Sequence, residues 1–191
     1  MNALVRALET SQQHRFTLDD VLRMQDAGIL DADAKVELID GGLVEMASEG
    51  APHTRTKMQI AFALIAQIRG EAVVIVDSTL RLAPTYAPDP DLYIYDASLP
   101  LEQVDGLKVG LVIEIAQSTV AKDLSIKAEL YGQHGVRDYW VVDVNTNVTT
   151  VHRAPSEGVY RDITRYLARD TVTSLVFPAL TLCLADLPPI R

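Results

Sequence analysis

The chain has 191 residues, of which 48% are hydrophobic and 23% are charged, as expected for a globular protein with an ordinary core. Acidic residues outnumber Lys and Arg by 26 to 17, so the net charge is -9, which argues against tight, unaided binding to nucleic acid. The single cysteine, Cys183, excludes an internal disulfide and a cysteine-rich zinc site. No apolar run approaches the roughly 18 residues of a membrane helix, and the N-terminus lacks the pattern of a signal peptide. We therefore expect a cytoplasmic protein without a membrane segment.

Hydrophobic period and turn residues divide the chain into helices and strands. Helices are predicted at 17–26, 53–69 and 120–133, each with a glycine close behind it. The second of these has Met58, Phe62, Ile65 and Ile68 as its apolar positions. Strands are predicted at 35–40 and 43–47, which form a hairpin, and at 72–77, 79–82, 91–95, 109–116, 137–144, 147–152, 159–166 and 171–176. We expect an N-terminal extension at 1–15 and a single domain at 16–191.

A strand–helix–strand unit from Lys108 to Asp143 organises the chain. Its first strand carries one charge, Glu114, and a carboxylate buried without a partner is costly. At 100° per residue, the apolar face of the helix contains Val120, Leu124, Ala128 and Tyr131, with Ile126 and Leu130 beside it. Lys127 falls near the centre of this apolar arc, with Asp123 one turn before it. The pattern therefore predicts that Lys127 points toward Glu114.

Glu37, Asp91, Glu114 and Lys127 are the candidate site residues. Two carboxylates on neighbouring strands can hold a hard divalent cation such as Mg²⁺. Such a cation polarises a phosphodiester and lowers the pKa of a bound water, and a nearby lysine stabilises developing negative charge.

Several segments resemble the Uma2 (DUF820) family of restriction-endonuclease-like proteins, which belong to the PD-(D/E)xK nuclease superfamily. They are ELIDGGLVEM, His53, PDPDLYIYD and LVIEIAQSTVAKDLSIKAELYGQHGVRDYWVVDVNTNVTTVHR, and the resemblance runs from about Phe16 to the C-terminus. It implies an α/β fold with a mixed central sheet flanked by helices, an N-terminal hairpin and additional C-terminal strands. It also implies an endonuclease that hydrolyses DNA with Mg²⁺ or Mn²⁺.

The resemblance assigns roles to individual residues. Asp91 is the acid of the PD pair, although Pro88-Asp89 also fits the two letters, and Glu114 is the second acid. The lysine of the family pattern is missing two residues after Glu114, where Ala116 stands, and Lys127 takes its place.

The metal ligands implied by the same resemblance are Asp91, Glu114 and a backbone carbonyl at Ile115 or Ala116. Glu37 is the additional N-terminal acid, and Gln117 is a secondary candidate.

Each candidate also has an ordinary structural interpretation. Asp91 after a proline is common in turns, Glu114 could be an edge glutamate paired with Lys or Arg, and Glu37 could be a surface acid of a hairpin. Asp123 and Lys127 have the spacing of a helix salt bridge.

Two other functions remain open at this point: a non-catalytic interaction module that keeps the nuclease fold, and a regulatory protein that binds a metal or small molecule. The C-terminal strands also offer pairing edges, from which we expect a homodimer.

Overall fold

The computed structural model describes residues 14–31, 33–46 and 48–189, so most of the predicted extension at 1–15 lies outside the described residues. The chain divides into two compact units, Met1–Met46 with Ala83–Pro88 and Ala47–Leu82 with Asp89–Arg191. Helices and a central mixed sheet confirm the predicted α/β class. Within the described residues, no helix is both long enough and apolar enough to cross a membrane.

The described part of the chain contains three helices and ten strands. The helices are α1 (Leu18–Asp26), α2 (Ala51–Ile65) and α3 (Val120–Gln133), and short 3₁₀ turns lie at Leu101–Gln103 and Leu184–Asp186. The strands are β1 (Val36–Ile39), β2 (Gly42–Glu45), β3 (Ala72–Val76), β4 (Leu92–Asp96), β5 (Val109–Ala116), β6 (Asp138–Asp143), β7 (Val148–Ser156), β8 (Val159–Tyr166), β9 (Val172–Thr173) and β10 (Thr181–Leu182).

The first unit combines α1 with the β1–β2 hairpin. Thr17 caps α1 through a reciprocal pair of hydrogen bonds with Asp20, the capping-box arrangement that satisfies backbone N–H groups at a helix start. β1 and β2 pair antiparallel. Leu38 of β1 also bridges to Ala87, and both pack with Val21 in a small core.

The second unit is built on a six-stranded sheet in the order β3-β4-β5-β6-β7-β8. Only the β5–β6 pair is parallel within this sheet. A parallel pair needs a crossover connection, and α3 provides it. All eight residues of β5 are buried, as expected for a strand covered on both faces.

One sheet face forms the main core with α2. Ile60 and Leu64 of α2 pack with Ile113 of β5, Trp140 of β6 and Leu180 from the C-terminal segment. All five are fully buried, and complete burial of such side chains stabilises a fold by about 1.5–3 kcal/mol each. The opposite face of β5 carries Glu114 toward α3.

The buried face of α2 differs from the prediction. Phe62 and Ile65, expected to be buried, are 52% and 49% exposed. The buried residues are Lys57, Ile60, Ala61 and Leu64, which have the i, i+3, i+4, i+7 spacing of a helix face. The predicted positions Met58, Phe62 and Ile65 each follow a buried residue by one, so the predicted face was wrong by about one residue of rotation.

Two predicted strands are also wrong or shortened. Residues 79–82 form no strand, since β3 ends at Val76 and the chain leaves the sheet at Asp77, whose φ of 49° lies in the left-handed region. The predicted strand at 171–176 is reduced to β9, because only Val172 and Thr173 find partners, in β10.

Candidate metal and active site

Asp91 lies directly before β4 and is buried beside β5. Its Oδ2 accepts a hydrogen bond of 2.7 Å from the backbone N–H of Ile115. Leu92 pairs with Ile113 in the antiparallel β4–β5 register, which brings Asp91 alongside Glu114. The main chain thus sets two acidic residues next to each other at the end of two neighbouring strands.

Glu114 is 4% exposed and is held by α3. Its Oε1 accepts hydrogen bonds from Lys127 Nζ at 2.9 Å and from the Tyr131 hydroxyl at 2.8 Å. Burial raises the pKa of Glu114; the charge of Lys127 opposes this rise, and the charge of Asp91 adds to it. The predicted approach of Lys127 to Glu114 is therefore present in the structure.

A wide turn in α3 brings Lys127 to Glu114. Residues Asp123–Lys127 form a π-helical turn between two α-helical segments, and such turns are frequent at functional sites. Asp123 and Lys127 are buried, whereas Leu124 and Ile126 are 38% and 59% exposed. The prediction of Leu124 on the buried face, with Ile126 beside it, was wrong because the wide turn departs from 100° per residue.

Asp123 is held by hydrogen bonds to its carboxylate and to its backbone carbonyl. Its carboxylate accepts from Thr119 Oγ1 at 2.5 Å, and its backbone carbonyl accepts from the Tyr139 hydroxyl at 2.9 Å. The contact with Tyr139 fixes the start of the wide turn against β6.

A second group of side chains reaches Asp91 from α2 and the loop before it. His53 Nε2 lies 3.2 Å from Asp91 Oδ2, and His53 Nδ1 lies 3.2 Å from Glu49 Oε2. Glu49, His53 and Asp91 offer ligand atoms that all lie within 4.8 Å of one another. Burial lowers the pKa of His53, but the hydrogen bond and charge of Asp91, together with the charge of Glu49, raise it overall.

Lys57 adds a buried cation to this group. Its side chain is 2% exposed, and Nζ lies 2.6 Å from Glu49 Oε2, 2.5 Å from Asp77 Oδ1 and 3.4 Å from Asp91 Oδ1. Asp77 is positioned at the end of β3 by a backbone hydrogen bond to the carbonyl of Asp91.

The sequence pointed to His53 only through the family resemblance and did not identify Glu49 or Lys57. His53 and Lys57 are four residues apart, which places them on the same side of α2, whereas Glu49 lies in the loop before the helix.

The structure locates the remaining predicted residues. Glu37 lies on β1 in the first unit and is 1% exposed; its role at the site stays a prediction. Asp91, rather than Asp89, is the acid bonded to Ile115. The Ala116 carbonyl accepts from the Val144 N–H at 3.0 Å, so it is directed toward β6.

Comparison with known proteins identifies the family of this chain. The Uma2 family, described as "Putative restriction endonuclease", matches residues 18–185. A crystal structure described as "a putative nuclease belonging to DUF820" from Anabaena variabilis ATCC 29413 is similar with a TM-score of 0.66 at 17% identity, covering 90% of this chain and 96% of that one. At this identity the likeness shows the shared fold. No curated protein matches the chain. Since the family match spans most of the sequence, the chain belongs to the Uma2 family.

Proposed function

We propose that this protein is a metal-dependent endonuclease of the PD-(D/E)xK type that hydrolyses DNA phosphodiester bonds. The observation that carries the proposal is the buried Asp91, which contacts Ile115 of the Glu114 strand on one side and His53 on the other. Buried acids that are held by neighbouring strands and surrounded by other ionisable groups are typical of functional sites. Family membership supplies the reaction class.

The residues around Asp91 fit a divalent cation. Glu49, Asp77 and Asp91 carry three negative charges against one on Lys57, so the group is negative overall when His53 is neutral. The Nδ1 atom of His53 is buried and makes no hydrogen bond to any described residue, although a carboxylate oxygen lies 3.2 Å away. Such an orphaned nitrogen is unusual and is available to a metal.

Two ligand sets share Asp91. One is the predicted set of Asp91, Glu114 and the Ile115 carbonyl. The N–H and C=O of one strand residue point to the same side, and the Ile115 N–H is directed at Asp91, which favours Ile115 over Ala116. The other set is Glu49, His53 and Asp91.

The chemistry of the two sets differs. An all-oxygen site suits Mg²⁺ and Mn²⁺ alike, whereas an imidazole ligand favours transition metals over Mg²⁺. Mn²⁺ fits both sets.

A bound divalent cation would polarise the scissile phosphate and lower the pKa of a water molecule. The protein residues would hold the reactants in place around it. Lys127, held by Glu114, would stabilise negative charge that develops on the phosphate. Glu37 is proposed as an additional acid, as the family resemblance implies.

The test is cleavage of supercoiled plasmid DNA by the purified protein with Mn²⁺ or Mg²⁺. We expect nicking or linearisation that stops when EDTA is added. Asp91→Asn and Glu114→Gln should each lower the rate at least about 100-fold, the scale expected when an essential group is removed. Glu129→Gln, an exposed acid on α3, is the matched control and should cleave at the wild-type rate.

Two results would overturn the proposal: absence of cleavage by the folded wild type across single- and double-stranded DNA, and wild-type cleavage by folded Glu114→Gln. Metal binding without any cleavage would favour a metal-binding regulatory protein. DNA as the partner, a homodimer and a cytoplasmic location stay predictions. The exposed outer edge of β8 in the six-stranded sheet supports the homodimer.

A further inference from the structure

A cavity of about 410 Å³ lies between the start of α3 and strands β6 to β8. It belongs to the sheet face that carries Glu114, because Val141 in the cavity wall is paired with Glu114 in the β5–β6 register. Its volume falls in the range of sites for small organic molecules. Five of its lining residues are aliphatic and four are polar: Val120, Leu124, Val141, Val148 and Ile163, with Asp143, Thr150, His152 and Arg165.

Two exposed apolar side chains belong to the aliphatic part of the cavity wall. Leu124 of the wide turn is 38% exposed and Ile163 of β8 is 57% exposed, and both line the cavity. An apolar ligand that covered them would remove apolar area from water, which is favourable.

His152 provides a polar position inside the cavity wall. The residue is 2% exposed, and its Nδ1 makes no hydrogen bond to any described residue. Its ring packs between the rings of Tyr139 and Tyr160, with centroids 5.3 and 5.5 Å away. Burial lowers its pKa, so the imidazole is neutral near pH 7. A buried polar nitrogen that lacks a partner is unfavourable, and a ligand with a hydrogen-bonding group would relieve this cost.

Two charged side chains at the cavity rim indicate which ligand charge the cavity favours. Arg165 is exposed and lies opposite Thr150 in the β7–β8 register, and it forms no ion pair with the residues that the structure describes. Asp143 is held in the β6–β7 turn by hydrogen bonds from the Asn145 N–H and Thr146 Oγ1. Since one guanidinium and one carboxylate share the rim, a singly charged anion is favoured over a dianion such as a phosphate monoester.

We propose that this cavity binds a small monocarboxylic acid with an apolar body. The carboxylate pairs with Arg165, the apolar body lies against the aliphatic wall, and a polar group of the ligand reaches His152 or Thr150. This binding is independent of DNA cleavage, because the nuclease residues lie outside the cavity lining.

The experiment is a titration of the full chain with hexanoate and phenylacetate, and with hexanamide and phenylacetamide as uncharged matches. Binding is followed by the chemical shifts of the Val, Leu and Ile methyl groups. We expect saturable shifts at the cavity methyls, with the carboxylates at least 10-fold tighter than the amides.

Three variants make the test specific. Leu124→Trp fills the cavity and should weaken binding at least 10-fold, whereas Leu107→Trp, at a leucine that is 72% exposed outside the cavity, should bind like the wild type. Arg165→Gln, at an exposed position, should bring the carboxylates to the affinity of the amides. Shifts that stay unsaturated for all four probes, or saturable binding that Leu124→Trp leaves unchanged, would overturn the proposal.

Discussion

At the scale of single residues, two lysines are buried among acidic side chains. Lys57 contacts Glu49, Asp77 and Asp91, and Lys127 contacts Glu114. A buried ion pair contributes little net stability, because desolvation offsets the Coulomb attraction, yet removing one partner leaves a costly uncompensated charge. Burial raises the pKa of Glu114, and the charge of Lys127 opposes that rise. Removal of either lysine would leave buried acids without their opposing charge.

Replacing Lys127 by Met should make stability more dependent on pH. Loss of the opposing charge raises the folded pKa of Glu114 further above its unfolded value of about 4.3. Stabilisation by a carboxyl with a raised folded pKa is present below the unfolded pKa and is lost as pH rises through the folded pKa. The folded pKa of Glu114 is about 8 in the wild type, so both proteins lose stability in parallel below that pH and diverge only above it. Urea unfolding in EDTA should thus show a deficit of Lys127→Met against wild type that is constant from pH 5 to pH 7 and grows from pH 8 to pH 9.5, by up to about 1.4 kcal/mol per pH unit.

Two further variants control this prediction. Lys108→Met replaces a lysine whose side chain is 45% exposed and should show no growing deficit. The double variant Glu114→Gln/Lys127→Met removes the titrating group, so its stability should lose the extra pH dependence. A deficit of Lys127→Met that stays constant between pH 8 and pH 9.5 would contradict the effect of the Lys127 charge on the pKa of Glu114.

At the scale of elements, the wide turn of α3 decides which side chains face the sheet. Its five residues place Asp123 and Lys127 inside and leave Ser125 outside. The inward direction of Lys127 could be predicted from its position among apolar residues. The exposure of Leu124 and Ile126 could not be predicted, because a helical-wheel projection assumes 100° per residue throughout the helix. The burial of Lys57 on α2 could not be predicted either, because its partners Asp77 and Asp91 are distant from it in the sequence.

Deleting Ser125 should convert the wide turn to a regular α-helix. The segment after it is anchored by Lys127 and Tyr131 on Glu114, so the segment before it must rotate by about 100°. The Asp123 carbonyl would then lose its hydrogen bond from Tyr139 of β6, at a cost of about 1–3 kcal/mol. Chemical unfolding followed by circular dichroism measures this loss.

The matched control for the deletion is Ser125→Ala. A surface substitution of this kind should change the free energy of unfolding by no more than about 0.5 kcal/mol, while both proteins keep their helical signal. A deletion variant as stable as Ser125→Ala would show that the wide turn is not needed to seat Asp123.

At the scale of the whole molecule, the acidic sequence and a nuclease function are compatible because part of the acidity is internal. Glu37, Asp91, Glu114, Asp123 and Asp138 are all buried acids. Local sequence predicted the family, the α/β class and strands such as β5 and β8. It could not predict β9 and β10, because strands of two residues depend on partners found only in the folded chain.

The most direct measurement is calorimetric titration of Mn²⁺ into the wild type, Asp91→Asn and Asp96→Asn. Both ligand sets contain Asp91, whereas Asp96 ends the same strand β4 and is exposed, so it is the matched control. We predict saturable binding to the wild type and to Asp96→Asn, with affinity at least about 10-fold lower in Asp91→Asn. Equal Mn²⁺ affinity in folded Asp91→Asn, or no binding to the wild type at millimolar Mn²⁺, would contradict a metal site at Asp91.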